Sequence, residues 1–168
     1  MDFGMNFEGK VGIVTGAGSG IGRATALGFA TLGGTVVVAD INTENATHVA
    51  EAIAAQSGKA LAMTVDVTKP ADIDRMVAET KAAFGRIDFL HNNAFGLPAT
   101  ASTSAEASGR LADVEEGVWS YMIDVGLTAV WRAMKRVLPI TCPEARSTVA
   151  NATDSPRFCA SKILSTRV

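Results

Sequence analysis

Little in these 168 residues is available for metal chemistry or cross-linking, since the chain has two cysteines and two histidines. Cys142 and Cys159 show neither paired-cysteine nor cysteine/histidine spacing, which indicates no disulfide framework and no zinc site. Both are expected to be plain thiols. His48 and His91 stand apart without a ligand-like grouping and are read as a surface helix residue and a strand residue. An excess of one charge is also missing. Fifteen Lys and Arg against seventeen Asp and Glu leave a formal charge of −2, which makes no footprint for a nucleic-acid backbone or an anionic membrane. The expected partner is therefore a small molecule. No apolar run approaches the roughly eighteen residues of a membrane span, and the segment MDFGMNFEGK carries two acids and no apolar stretch. A cytoplasmic location is the simplest expectation. There is no internal repeat.

What the chain does have is apolar residues (48%) and 16 glycines, in a length that fits one domain over 1–168. Short β-branched runs, KVGIVT, TVVVAD, ALAMTVDV and IDFLHN, alternate with amphipathic segments. That alternation predicts an α/β fold, a parallel sheet covered by helices on both faces. Helices are expected from about 19 to 32, stopped by Gly33-Gly34, from about 44 to 56 with Gly58 as the C-terminal glycine, and over KPADIDRMVAETKAAFG, with Pro70 in the first turn and Gly85 at the stop. Residues 96–110 are rich in Ala, Ser and Gly without periodicity and read as a loop at the sheet's rim. Beyond them Val114, Val118, Met122, Val125 and Ala129 recur at helical spacing, and Pro139 is expected to limit that long helix.

The clearest chemical signal is TGAGSGIG, residues 15–22, at the first strand-to-helix turn. Glycines at 16, 18, 20 and 22 let the backbone approach a ligand with no Cβ in the way. The turn also opens a helix whose free N–H groups and positive dipole end attract an anion such as pyrophosphate. Glycine-rich loops also serve as tight structural turns, so context decides between the two. The turn follows a buried strand and precedes a helix. Eighteen residues after Gly22 comes Asp40, at the end of the second strand, where a carboxylate can accept hydrogen bonds from ribose hydroxyls. Near a 2′-phosphate about 5 Å away, that carboxylate costs roughly 3 kcal/mol at an effective dielectric of about 20, or about two powers of ten in affinity. NAD is therefore favoured over NADP. Arg23, just inside the first helix, is read as a solvated residue and not as a phosphate clamp.

Thr15, Gly16, Gly20 and Gly22 follow a TGxxxGxG pattern, and with it the chain resembles the short-chain dehydrogenases/reductases, Rossmann-fold oxidoreductases that use NAD or NADP. The likeness covers residues 8 to about 138 well and 139–168 poorly. It implies a doubly wound parallel sheet lacking the family's C-terminal strands, and hydride transfer between NAD(H) and an alcohol or carbonyl substrate. It also implies a coenzyme site formed by Gly16, Ser19, Gly20, Ile21, Gly22, Asp40, Asp66, Val67, Asn93, Ala94 and Lys162. Asp66-Val67 corresponds to the position where the family places an aspartate near the adenine amino group. Asn92-Asn93-Ala94 resembles the family's NNAG signature, with Phe95 in place of its glycine. For Asp66 a simpler role as a helix-start residue stays open, and for the asparagines a role in satisfying neighbouring strand ends.

The family's proton-transfer chemistry uses a tyrosine and a lysine four residues apart on one helix face, with a serine that orients the substrate oxygen. FCASK, residues 158–162, places Lys162 at the lysine position and Phe158 at the tyrosine position. Phenylalanine has no hydroxyl, so an acid/base contribution of about 10² to 10⁴ must come from water or be absent. The asparagine expected in the long helix is Gly126, within VGLT. Ser155 is the nearest candidate for the serine, at the end of a fifth strand expected over STVANATDS, and only two residues separate it from Phe158. Lys162 and Ser155 are thus the catalytic candidates, and Phe158 leaves open two alternatives, a coenzyme-binding protein without turnover that acts as a sensor or subunit partner, and a non-functional product. The last helix is expected to run from this motif toward Val168. Apolar surface left exposed by the sheet edge and by that short helix invites dimerisation or aggregation, and a homo-oligomer is the expectation.

Overall fold

The computed structural model describes residues 6–96 and 114–142 and the backbone of 163–165. The first half is a regular alternation of β1 (Val11–Thr15), α1 (Gly20–Thr31), β2 (Thr35–Asp40), α2 (Thr43–Ala54), β3 (Lys59–Thr64), α3 (Pro70–Phe84) and β4 (Phe89–Asn92). A long helix follows in three parts. These are α4 (Glu116–Ile123), a π-helical turn (Asp124–Thr128) and α5 (Ala129–Thr141). All strand pairs are parallel, and with a short β5 (Ile163–Ser165) the sheet order is β3-β2-β1-β4-β5.

The pleat sorts the core. Val36 and Val38 of β2 face one way and join Val14, Ala26, Val49 and Ile53 under α1 and α2. Val37 and Ala39 face the other way, with Ile13, Met63, Ile73, Met76 and Val137 under α3 and α5. A sheet buried on both faces reads as continuous apolar runs in the sequence, and TVVVAD is such a run. The chain reverses on glycine after α1 and α3, whereas after α2 the residue at positive φ is Ser57 (61°) and not the expected Gly58. Gly33 and Gly85 both adopt positive φ (87° and 73°) after their helices.

At the base of the sheet Asp88 is almost fully buried and accepts the Val11 N–H through Oδ2 (3.0 Å), while Arg86 forks both carboxylate oxygens at 2.7 and 2.6 Å. Burial pushes its carboxyl up, but Arg86, the Val11 amide and Lys10 outweigh this and hold it below the usual carboxylate range. With a folded pKa lowered relative to the unfolded chain, the stabilisation is fully present above about pH 3.9 and is lost as pH falls through the folded value. Asp88→Asn is therefore expected to lower the melting temperature at pH 7 and at pH 5. In thermal scans the gap between the two proteins should close only in more acidic buffer.

Three expectations need correction. The long helix continues through Pro139 to Thr141, because the missing proline N–H falls close to the helix end, where it interrupts only the final turn. Residues 163–165 do not continue a helix after Lys162. They form β5, in register with Leu90, His91 and Asn92 of β4, since the open edge of β4 offers backbone partners to a short extended segment. Cys142, buried at the end of α5, is disulfide-bonded and not a plain thiol. Two cysteines without motif spacing carry no pairing signal for a sequence reading to use. The strand expected over 147–155 and the loop expected over 96–110 lie outside the described residues, apart from Gly96.

Candidate functional site

The C-terminal ends of β1, β2 and β4 converge on the glycine turn, and the side chains of Thr15, ending β1, and Asn93, just after β4, hold it. Thr15 Oγ1 donates to the His91 carbonyl (3.3 Å) and accepts from the N–H groups of Asn93 (3.1 Å) and Ala94 (3.2 Å). Asn93 Nδ2 in turn donates to the carbonyls of Thr15 (3.1 Å) and Gly16 (3.2 Å). These bonds fix the turn to the strand beside it. They leave no room for side chains. A Cβ on Gly16, where φ is +64°, would stand 2.8 Å from Ala94 Cα, and one on Gly22 would stand 2.1 Å from the Gly16 carbonyl oxygen. Gly20, also at positive φ (50°), has nothing within 4 Å of its absent Cβ, so its glycine keeps the outer face of the turn open.

Ser19 precedes α1 in an extended conformation without a side-chain cap, and its carbonyl accepts the first helical bond from the Arg23 N–H at 3.0 Å. No acidic side chain occupies the first turn of α1. The N–H groups of Gly20, Ile21 and Gly22 belong to the first turn of α1, which has no residues four places upstream in the helix to accept them. Ile21 is exposed beside them. Asp40 lies across the turn. Its Oδ2 accepts the Gly18 N–H (2.8 Å) and its Oδ1 the Asn42 N–H (2.9 Å). A Cβ on Gly18 would reach to 2.9 Å from the Asp40 carboxyl carbon. The carboxylate is thus fixed in position with lone pairs to spare. These groups fit a diphosphate bridged to a ribose, with the backbone cradle for the anion and the acid for the hydroxyls.

Asp66 and Val67 lie one strand further on. Asp66 Oδ1 accepts from Thr68 N (3.0 Å) and Oγ1 (2.6 Å), and Lys69 Nζ lies 3.4 Å from Oδ2. Burial pushes this carboxyl up, but Thr68 and Lys69 bring it below its ordinary value. This geometry is that of a turn leading into α3. Val67 lines a small cavity with Thr15, Asn92, Ala94 and Val125. Asn92 is buried, and its Nδ2 has no hydrogen-bond partner among the described residues. Burial lowers the pKa of His91 from its ordinary imidazole value. Ser155, Phe158 and Lys162 lie outside the described residues.

Gly16, Ser19, Gly20, Ile21, Gly22, Asp40, Asn93 and Ala94 therefore come together around one turn, with Asp66 and Val67 on the adjacent rim. Thr15 has a role beyond its place in the glycine pattern, since it ties β1 to the residues ending and following β4. A threonine ending a buried strand directly before a glycine was the available signal. The approach of the Phe95 ring to position 126 has no such signal, because nothing in local spacing joins them.

Strand order reverses between β1 and β4, beside a glycine turn with an acid at the end of the neighbouring strand. This is the Rossmann type of architecture. Within it, the chain belongs to the short-chain dehydrogenase family, whose pattern matches residues 10–153. It is 37% identical over 145 residues to a cyclohexanol dehydrogenase of an Acinetobacter species, covering 86% of this chain and 55% of that protein. Among solved structures, it superposes on a short-chain dehydrogenase/reductase from Burkholderia phymatum in complex with NAD with a TM-score of 0.73 and 27% identity. That match covers 84% of this chain and 47% of the other. A metagenomic short-chain oxidoreductase in complex with NADP gives a TM-score of 0.72 and 29% identity, covering 83% and 59%. The chain spans about half the length of the proteins it matches. Among the described residues, no helix is long and apolar enough to cross a membrane.

Proposed function

We propose that the chain binds NAD(H) at the glycine turn and belongs to an oxidoreductase acting on an alcohol or carbonyl compound. The observation that carries this reading is the side-chain-free cradle at Gly16, Gly20 and Gly22, faced by the fixed carboxylate of Asp40. When bound, the nicotinamide ring supplies or accepts a hydride. The remaining work falls to the chain. Backbone amides at the start of α1 hold the diphosphate, Asp40 accepts the ribose hydroxyls, and Asn93 and Thr15 keep the turn in its binding shape. By the family resemblance, Lys162 holds the nicotinamide ribose and Ser155 orients the substrate oxygen. Phe158 cannot pass a proton.

The choice of coenzyme follows from charge. A 2′-phosphate would meet the Asp40 carboxylate, so NADH is favoured over NADPH. Paired titrations of wild type and Asp40→Asn test this. The substitution should reduce the preference by about a hundredfold, whereas an unchanged ratio would remove Asp40 from the discrimination. A second reading, coenzyme binding without turnover, is favoured by Phe158 and Gly126, both of which lack the functional groups that the family pattern has there.

The exposed face of the long helix supports a homo-oligomer. Trp119, Ile123, Leu127 and Trp131 recur every fourth residue and are all exposed. An antiparallel pairing with a second copy, centred on Val125, would set Trp119 against the partner's Trp131 and Ile123 against the partner's Leu127. It would also bring Glu115 to the partner's Lys135. Burying such a stripe is favourable at about 25 cal/mol per Å². The solution mass should be that of two chains or a multiple, and Trp131→Glu should lower it to one.

A further inference from the structure

Two departures from the family pattern face each other. Phe95 stands where the NNAG signature has glycine, and Gly126 stands where the long helix is expected to carry asparagine. A Cβ on Gly126 would lie 3.8 and 3.9 Å from Cε2 and Cδ2 of Phe95. The ring therefore stands at the distance where a side chain at 126 would first meet it, and that position, at the centre of the π-helical turn, has no side chain. It is also 64% exposed, so most of its apolar face is uncovered. Leu127, next along the turn, is exposed to the same degree.

The place of this pair in the fold gives it meaning. Asp40 draws the adenosine half of a dinucleotide toward β2. The other half must then cross the reversal point toward β4, whose chain continues through Asn93 and Ala94 to Phe95. Ala94 abuts the glycine turn itself, 2.8 Å from where a Cβ on Gly16 would be. Phe95 is thus the first exposed side chain on the side of the crevice where the reacting ring and its substrate would lie. An asparagine at 126 would offer that space two donors and an acceptor, whereas glycine offers it a gap that the aromatic ring covers.

Resting on the coenzyme reading above, we propose that Phe95, seated over Gly126, forms an apolar wall of the substrate half-site and selects carbonyl or alcohol compounds bearing an apolar ring over small ones. The test uses the NADH complex of the full chain, titrated calorimetrically with acetophenone and with acetone, two methyl ketones that differ by the ring. Wild type should prefer acetophenone. Phe95→Gly should weaken acetophenone about tenfold, leave acetone unchanged and keep NADH affinity within about twofold. Gly126→Leu, which pushes the ring aside, should weaken acetophenone in the same way. Equal acetophenone affinity in wild type and Phe95→Gly, a parallel loss for acetone, or no acetophenone binding by wild type would each overturn the wall. Absence of saturable NADH binding by wild type is a separate result. It overturns the coenzyme reading and the inference with it.

Discussion

Gly22→Ala is expected to abolish saturable NADH binding, weakening it by about a thousandfold or more. The added methyl would stand 2.1 Å from the Gly16 carbonyl oxygen and 2.6 Å from Asn93 Nδ2. An ordinary overpacked methyl costs about 1–3 kcal/mol because neighbouring side chains give way. Here the nearest obstacle is backbone, and it belongs to the turn itself. Relieving the clash moves Gly16 and breaks the bonds by which Asn93 holds it to β4. A loss of about 4 kcal/mol corresponds to the expected thousandfold. Ile21→Ala serves as the control, since Ile21 is exposed on the same turn and its loss should change affinity only a few-fold. If Gly22→Ala bound NADH as wild type does, the diphosphate would not sit on this turn.

The second large effect concerns turnover. Phe158→Tyr should raise the rate of ketone reduction with NADH by about 10² to 10⁴, the usual contribution of a positioned acid/base, with the NADH Kd unchanged. The gain should also acquire a pH dependence that the wild-type rate lacks, because a phenol titrates and a phenyl ring does not. A rate that stays flat would mean that FCASK does not hold the reactive pair and would favour coenzyme binding without turnover. Adding Lys162→Met to the tyrosine variant should cancel most of the gain.

The fold was legible where hydrophobic period and turn chemistry agree. TVVVAD was read as a strand buried on both faces because its neighbours supply helices for each side, and Pro70 and Gly85 marked the ends of α3 through fixed φ and positive φ. Asp40 was legible because its position at the end of β2 is set by the length of one βαβ unit. The π-helical turn was not, since a single residue's shift in helical phase leaves no mark on an apolar pattern that stays in place at Val118, Val125 and Ala129. Asp66 kept two readings in the sequence. Its bonds to Thr68 and Lys69 account for the turn into α3 and leave lone pairs that an adenine could meet. β5 was missed because three residues are too short a run to outweigh a motif that implied helix. Phe95 and Gly126, thirty-one positions apart, meet only because β4 ends beside the long helix, a tertiary fact that no local pattern encodes.

The most direct measurement of the central claim is a fluorescence titration of NADH into the unmodified chain. The glycine cradle and Asp40 predict a saturable change, one coenzyme per chain, reversed by excess NAD and weaker with NADPH. A signal that rises linearly into the millimolar range, unaffected by NAD, would contradict the account.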